Sequence, residues 1–190
     1  MSFILLGILN SQAAGGGGAY DLLETTTLTS PASSVTFSGL GSYSDYAHLQ
    51  IRATTRTDRP AIEIDGIATQ LNNDTGTNYS NHRLNGDGTS ATSTSSSADT
   101  SFSAIVTSTN AVHTGEFGVA VLDILDFSST LKTKTLKAFS GALGVTYNSV
   151  RLSSGGWYDT SSITSITFTP VVGTNFVTNS RLSIYGIKGA

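Results

Sequence analysis

Short runs in which apolar and polar residues alternate are the feature that most restricts the fold of this chain. In the stretch YAHLQIRATTR, Leu49 and Ile51 alternate with Gln50 and Arg52. The stretches AIEIDGIATQL, SSITSITFTP and RLSIYGI repeat the pattern. A period of two is typical of a strand with one face in a core and the other in solvent. The sequence therefore predicts a chain built mainly of half-buried strands.

Turn-forming segments separate these runs, among them SGLGSYSD, NNDTGTN, NGDGTS and VVGTN. Strands spaced in this way are typical of sandwiches and barrels. The nearly continuous apolar run GVAVLDILDF predicts a central strand that is covered on both faces, and the threonines of TLKTKTLKAF favour a further strand. The low-complexity segment TSATSTSSSADTS, residues 89–101, favours a mobile loop over a strand. No stretch predicts an amphipathic helix longer than a turn or two.

The composition agrees with an all-β protein. Serine and threonine number 28 each among 190 residues; threonine suits a pleated surface and serine suits turns. The net charge of −3 is accompanied by no basic stripe, so no nucleic-acid partner is expected. The absence of cysteine excludes disulfides and thiolate metal sites.

The segment formed by residues 1–18 differs from the rest. Residues 3–9 are apolar or glycine, and residues 15–18 are four glycines. A secretory signal begins with a positively charged region, whereas the first lysine or arginine of this chain is Arg52. A membrane span needs about 20 apolar residues, and this apolar run is much shorter. We expect instead a tethered docking arm, followed by one β-sandwich domain over residues 19–190. The side chains expected to contact another chain are Phe3, Ile4, Leu5, Leu6, Ile8 and Leu9.

Catalytic chemistry leaves no recognisable pattern. The three histidines lack metal-ligand spacing, and no GxSxG elbow is present. Asp123 and Asp126 are the carboxylates that a glycan hydrolase would need, but residues three apart in a strand point to opposite faces. We therefore predict no catalytic residue, no metal ligand, no cofactor and no enzymatic activity.

Two binding hypotheses stay open at this point. Oxygen-rich side chains that could hold calcium crowd one region, although the same residues form strong turn sequences; they are Asn72, Asn73, Asp74, Asn78 and Asp87. Trp157 and Tyr158 follow a glycine pair and could stack on a sugar ring, with Tyr43 and Tyr46 on the same rim. A lone tryptophan more often packs at the end of a core, and we favour that interpretation for Trp157.

Three stretches of the chain resemble a family of small β-rich proteins of tailed bacteriophages. YAHLQIRATTRTD is similar to the family's "YKHLQIR" strand, and NNDTGTNYSNHRLNGDGTS is similar to its "F-N-x-D-T-G-x-N-Y-x-x-H-x-L-Y-G-D-G" motif. The end of the chain, from GGWYDTSSITSITF to LSIYGIKG, matches a third motif. Asn81 and Asn85 depart from the family pattern, in which aromatic residues are common.

The resemblance implies a jelly-roll-like antiparallel β-sandwich with an extended N-terminal arm. It also implies a virion location, as a fibre, tail accessory or capsid decoration subunit, with capsid, tail or fibre proteins as partners. We expect a homo-oligomer, a trimer being one arrangement left open, and no membrane partner. The alternative is a carbohydrate-binding module that recognises a host surface glycan. The family has no established catalytic residues, so none is assigned here.

Overall fold

The computed structural model describes residues 19–189, which form twelve strands and one turn of 3-10 helix, Leu40–Tyr43. The alternating runs identified above each become a strand. The strands are β1 (Asp21–Thr27), β2 (Val35–Phe37), β3 (His48–Thr57), β4 (Ile64–Leu71), β5 (Tyr79–Gly86), β6 (Ala91–Asp99), β7 (Phe102–Thr109), β8 (Gly118–Ile124), β9 (Lys134–Ala142), β10 (Ser149–Trp157), β11 (Ile166–Pro170) and β12 (Arg181–Ile187).

Two antiparallel sheets pack against each other. The large sheet has eight strands in the order β1-β12-β3-β8-β9-β10-β5-β6, and the small sheet has four in the order β2-β11-β4-β7. A short parallel pairing of Arg56 and Thr57, at the end of β3, with β7 joins the two sheets. The prediction of an all-β sandwich is confirmed, whereas jelly-roll connectivity stays a prediction.

The core lies between the sheets and is filled by the inward-facing side chains of most strands, whereas β6 contributes no buried residue. Strand β4 alternates strictly between buried and half-buried positions. The largest side chains of the core come from both sheets and from the loops between strands; they include Trp157, Tyr79, Phe37, Phe102, Phe127, Phe168 and Phe176. Burying a large apolar side chain stabilises the fold by about 1.5–3 kcal/mol, so this shared core holds the layers together.

One buried cation closes the core beside the start of β9. Lys134 is buried, and its Nζ donates hydrogen bonds to the carbonyl oxygens of Ser129, Lys132 and Thr160 at 2.7, 2.9 and 3.2 Å. Burial lowers the pKa of this ammonium group. The three carbonyls use all three donors, which is how a buried charge is retained without a carboxylate in contact.

The structure corrects two of the predictions above. Residues 91–99 of the serine-rich segment form strand β6, not a loop, because their backbone pairs with β5 across a tight turn. Asp87 stabilises that turn by accepting hydrogen bonds from the backbone N–H groups of Thr89 and Ser90. Strand β8 is not covered on both faces: Val119 and Val121 point away from the core.

The N-terminal docking arm predicted for residues 1–18 lies outside the described residues. Its contact side chains Phe3, Ile4, Leu5, Leu6, Ile8 and Leu9 therefore remain a prediction.

Candidate functional site

The outward face of the large sheet carries a continuous row of apolar side chains. Four neighbouring strands, β8, β9, β10 and β5, contribute one residue each: Val121 pairs with Phe139, Phe139 with Leu152, and Leu152 with Leu84. Directly opposed side chains of antiparallel strands lie about 5 Å apart at Cβ and contact each other. The row is thus one uninterrupted apolar ridge across four strands.

A second row lies beside the first and alternates valine with glycine. Val119 of β8 pairs with Gly141, Gly141 with Val150, and Val150 with Gly86. Because the two glycines have no side chain, the valines border shallow depressions. One is a cavity of about 160 Å³, and a larger one of about 540 Å³ continues past Leu143.

We call these six outward side chains the apolar face: Leu84, Val119, Val121, Phe139, Val150 and Leu152. Each is exposed, Phe139 by 58% and Val119 by 56%. Scattered exposed apolar residues are ordinary, but contiguous patches mark sites where proteins associate. The strands place these residues side by side, so the apolar face is the strongest candidate for a functional site.

Polar groups border the apolar face on two sides. On one side Lys137 Nζ lies 3.1 Å from Asp123 Oδ2, and the Gln50 amide donates a 2.8 Å hydrogen bond to the same carboxylate. On the β3 side the Arg52 guanidinium lies between the rings of Tyr20 and Tyr185, 5.2 and 4.7 Å from their centroids. An apolar centre within a polar rim is the usual anatomy of a protein–protein interface.

The tryptophan named above as a glycan contact is part of the core. Trp157 is 1% exposed, its ring stacks on Tyr79 with centroids 6.4 Å apart, and its Nε1 donates a 2.7 Å hydrogen bond to Asp74 Oδ2. The packing interpretation favoured above for Trp157 is confirmed, and its alternative role as a glycan contact is wrong, because a buried indole offers no ring face to a sugar. Tyr158, the other residue of that pair, is 60% exposed.

The remaining aromatic residues of the expected rim are also engaged in packing. Tyr43 and Tyr46 are partly buried against the core. The Tyr46 hydroxyl donates a 3.1 Å hydrogen bond to Asp21 Oδ2, and its ring lies directly over Gly186. The four aromatic residues therefore do not form one exposed platform.

The oxygen-rich segment around Asp74 is a hydrogen-bonded turn. Asp74 Oδ1 accepts the N–H of Gly76, and Oδ2 accepts the amide of Asn78 as well as the indole N–H of Trp157. These bonds, first of all that of Trp157, lower the pKa of the Asp74 carboxyl. Across residues 19–189, no group of three or more histidines and carboxylates is placed to hold a metal ion.

The two carboxylates that a hydrolase would need each have a cation of their own. Asp123 pairs with Lys137, and Asp126 Oδ2 lies 2.7 Å from Lys132 Nζ. The backbone N–H of Asp126 also donates to Nδ1 of His48, which fixes that histidine at the start of β3. These contacts account for the positions of all three residues as parts of the fold.

The chain matches no protein-family model, no curated protein and no solved structure in the comparisons. Within residues 19–189, no helix is long and apolar enough to cross a membrane.

The apolar face was missed by sequence reasoning. Its signal is present in GVAVLDILDF, whose apolar residues occupy both faces of one strand, a pattern that by itself predicts burial on both faces. Phe139, an aromatic residue at an outward position of the strand predicted from TLKTKTLKAF, was a second signal.

Proposed function

We propose that the protein is a structural subunit of a tailed-phage virion, a fibre, tail accessory or capsid decoration protein, that associates with further copies of itself through the apolar face. The exposed apolar ridge is the observation that carries the assembly role. The sequence resemblance to phage proteins supports the virion setting. The N-terminal arm is proposed to attach the subunit to capsid, tail or fibre proteins.

The occupant proposed for the apolar face is a second copy of the chain. Eight strands about 4.8 Å apart, each rising about 3.3 Å per residue over some seven residues, give an outward face of roughly 850 Å². A standard interface buries about 800 Å² on each partner, so an interface of that size centred on the apolar face would also cover the polar residues of the neighbouring strands. The rim carries both signs of charge in Asp123 and Lys137, so a second copy meets complementary groups at the border.

The arm would supply a second and weaker contact. Burying Ile4, Leu5, Leu6, Ile8 and Leu9 would yield about 7–15 kcal/mol at 1.5–3 kcal/mol each. The loss of conformational entropy on ordering the arm costs about 1–2 kcal/mol per residue and offsets much of this gain. Several arms displayed by one oligomer bind together and compensate for the weakness of each, which links oligomerisation to attachment.

Light scattering coupled to gel filtration tests the oligomer. The wild-type protein is expected to contain more than one chain, and Phe139→Asp, which places a charge in the middle of the ridge, is expected to weaken association at least tenfold. Leu131→Asp is the matched control, because Leu131 is 89% exposed and lies outside the apolar face. A monomeric wild-type protein at 100 µM, or equal effects of the two variants, would exclude the assembly role.

The virion setting has its own test. Mass spectrometry of purified particles is expected to detect the chain, and deletion of residues 2–14 is expected to leave the sandwich folded but absent from particles. A chain found free in host cytoplasm and missing from purified particles would overturn the virion proposal. Unfolding of the sandwich by the deletion would show that the arm belongs to its own domain.

Carbohydrate binding is the alternative function. Of the four aromatic residues expected to contact a sugar, Tyr158 alone is exposed enough to support it. This ring is exposed beside the buried Trp157, so it could stack on a sugar without a neighbouring indole. Host-cell or glycan-array binding by the isolated protein tests this alternative, with Tyr158→Ser expected to abolish the signal. Binding that survives this substitution would rule out Tyr158 as the contact.

A further inference from the structure

A cleft opens between the sheets at the end of the small sheet. Its volume is about 250 Å³, which is enough for several water molecules. One wall is the inward face of β5 and β10, and the other is formed by β4 and the residues that follow β11. Three arginines line it, Arg59, Arg83 and Arg151, together with a single carboxylate, Asp65.

Arg83 and Arg151 lie on the same face of two paired strands. Arg83 is directly opposite Ser153, and Arg151 is two residues before Ser153 on the same strand, so the two arginines are diagonal neighbours. The Arg151 Nε donates a 3.3 Å hydrogen bond to Asn85 Oδ1. Among residues 19–189, no carboxylate forms an ion pair with either guanidinium.

The electrostatics of this pair is unfavourable without a ligand. The pKa of Arg151 is lowered, first by burial and then by the positive charge of Arg83. Both side chains are only partly exposed, so water screens their repulsion incompletely. The repulsion between the two guanidinium groups therefore destabilises the folded protein, a cost that is often found where residues are kept for binding.

Asp65 does not neutralise them, because its oxygens are already engaged. Its buried side chain accepts hydrogen bonds from the Thr57 hydroxyl at 3.0 Å and from the N–H groups of Gly66 and Gly173 at 2.7 and 2.9 Å. The remaining arginine, Arg59, lies 3.8 Å from the same carboxylate. The charges of Arg59 and Asp65 thus neutralise each other, and the positive charges of Arg83 and Arg151 have no carboxylate partner among the described residues.

We propose that this cleft binds the anionic group of a polar ligand, a carboxylate or a phosphate such as an acidic sugar carries, between Arg83 and Arg151. The planar guanidinium donates two parallel hydrogen bonds to such oxyanions. The cleft volume admits a group of that size. This site is separate from the apolar face, which lies on the opposite side of the large sheet.

Titration calorimetry at constant ionic strength tests the proposal with three probes: inorganic phosphate, glucuronate and glucose. Phosphate, glucuronate or both are expected to bind, and the tighter of the two identifies the anionic group. Glucose, which is neutral, is expected not to bind. Arg83→Gln and Arg151→Gln are each expected to raise the Kd at least tenfold, while Arg181→Gln, on the exposed part of β12, is expected to leave it unchanged.

A second measurement separates a binding role from a structural one. Without ligand, Arg83→Gln removes the repulsion and is expected to keep or raise the Tm, whereas it would lower the Tm if Arg83 were needed for folding. Phosphate or glucuronate is expected to raise the Tm of the wild-type protein and not that of the variant. Absence of binding by both anions, equal binding by Arg83→Gln and Arg181→Gln, or a destabilised Arg83→Gln would overturn the proposal.

Discussion

Removing the Asp74 carboxylate by Asp74→Ala should destabilise the sandwich measurably. The carboxylate accepts three hydrogen bonds, from Gly76, Asn78 and Trp157. The first two are exposed, and water replaces them at little cost. The third is different, because it is partly buried and joins the carboxylate to the buried Trp157, whose indole N–H would lose the acceptor that the described residues give it.

The size of the effect follows from that one hydrogen bond. A hydrogen bond to a charged acceptor contributes about 1.5–3 kcal/mol, and a buried donor left without a partner costs about 1–3 kcal/mol. The two ranges are alternative estimates of the same lost hydrogen bond and are not added together. The weaker bonds of the turn contribute a little more, so we expect Asp74→Ala to lower the free energy of unfolding by about 2–4 kcal/mol. For a domain of this size that corresponds to a fall in Tm of about 5–15 °C.

Urea unfolding followed by tryptophan fluorescence measures the change, since Trp157 is the only tryptophan. Asp87→Ala is the matched control: Asp87 also accepts hydrogen bonds within a tight turn, but its donors, Thr89 and Ser90, are exposed. Its substitution is expected to cost much less. A double-mutant cycle of Asp74→Ala with Trp157→Phe, followed by circular dichroism, should give a coupling of about 1–2 kcal/mol.

The pH dependence of the stability difference between the wild-type protein and Asp74→Ala provides an independent check. The folded-state pKa of Asp74 is below its unfolded value of about 3.9. The charged carboxylate therefore contributes its full stability above about pH 4, and this contribution is lost as the pH falls through the folded-state pKa. The stability gap between wild type and Asp74→Ala should be constant from pH 5 to 8 and shrink below pH 4. A gap below 0.5 kcal/mol at pH 7, or fully additive effects of the two substitutions, would refute the reasoning.

Two further substitutions test the packing of the core. Lys134→Ala should cost about 2–4 kcal/mol in chemical denaturation, because three backbone carbonyls lose their buried donor, and Lys134→Arg, which keeps the charge, should recover part of the loss. Gly155→Ala should cost about 3 kcal/mol by the same assay, since a Cβ there would lie 2.8 Å from the Phe102 ring and still closer to the Ser80 carbonyl. Gly141→Ala, whose Cβ would meet nothing nearer than 3.7 Å, should be tolerated, and equal losses at the two glycines would contradict the packing argument.

Much of the fold was predictable because strand periodicity is a local property. The alternation in IDGIATQL appears in the structure as alternating burial of β4. The strand predicted from TLKTKTLKAF is β9. In each case a repeat of two residues determines which side chains face the core, and no knowledge of distant neighbours is needed.

Strand β6 was not predictable in this way because its side chains carry no information about burial. Its serines and threonines are almost all exposed, and the strand exists through backbone hydrogen bonds to β5. The signal was in the turn before it, where Asp87 caps the N–H groups of a hairpin. A hairpin turn next to a strong strand such as β5 was better evidence than the composition of the segment itself.

The two proposed binding sites depend on pairings between strands distant in sequence, and this is why the sequence alone does not predict them. Arg83 and Arg151 are diagonal neighbours only because β5 pairs with β10 in one register. A shift of one residue would send one arginine to the other face of the sheet. No property of either residue alone distinguishes it from an ordinary surface arginine.

The prediction of a sandwich changes what the apolar run in β8 indicates. Continuous apolar strands are buried on both faces when helices cover both sides of a sheet. A two-layer sandwich has no such covering, because the outward face of each sheet meets solvent unless another protein lies on it. Having predicted a sandwich, one should expect the second face of such a strand to be exposed. Val119 and Val121 are therefore better evidence for association than for a buried strand.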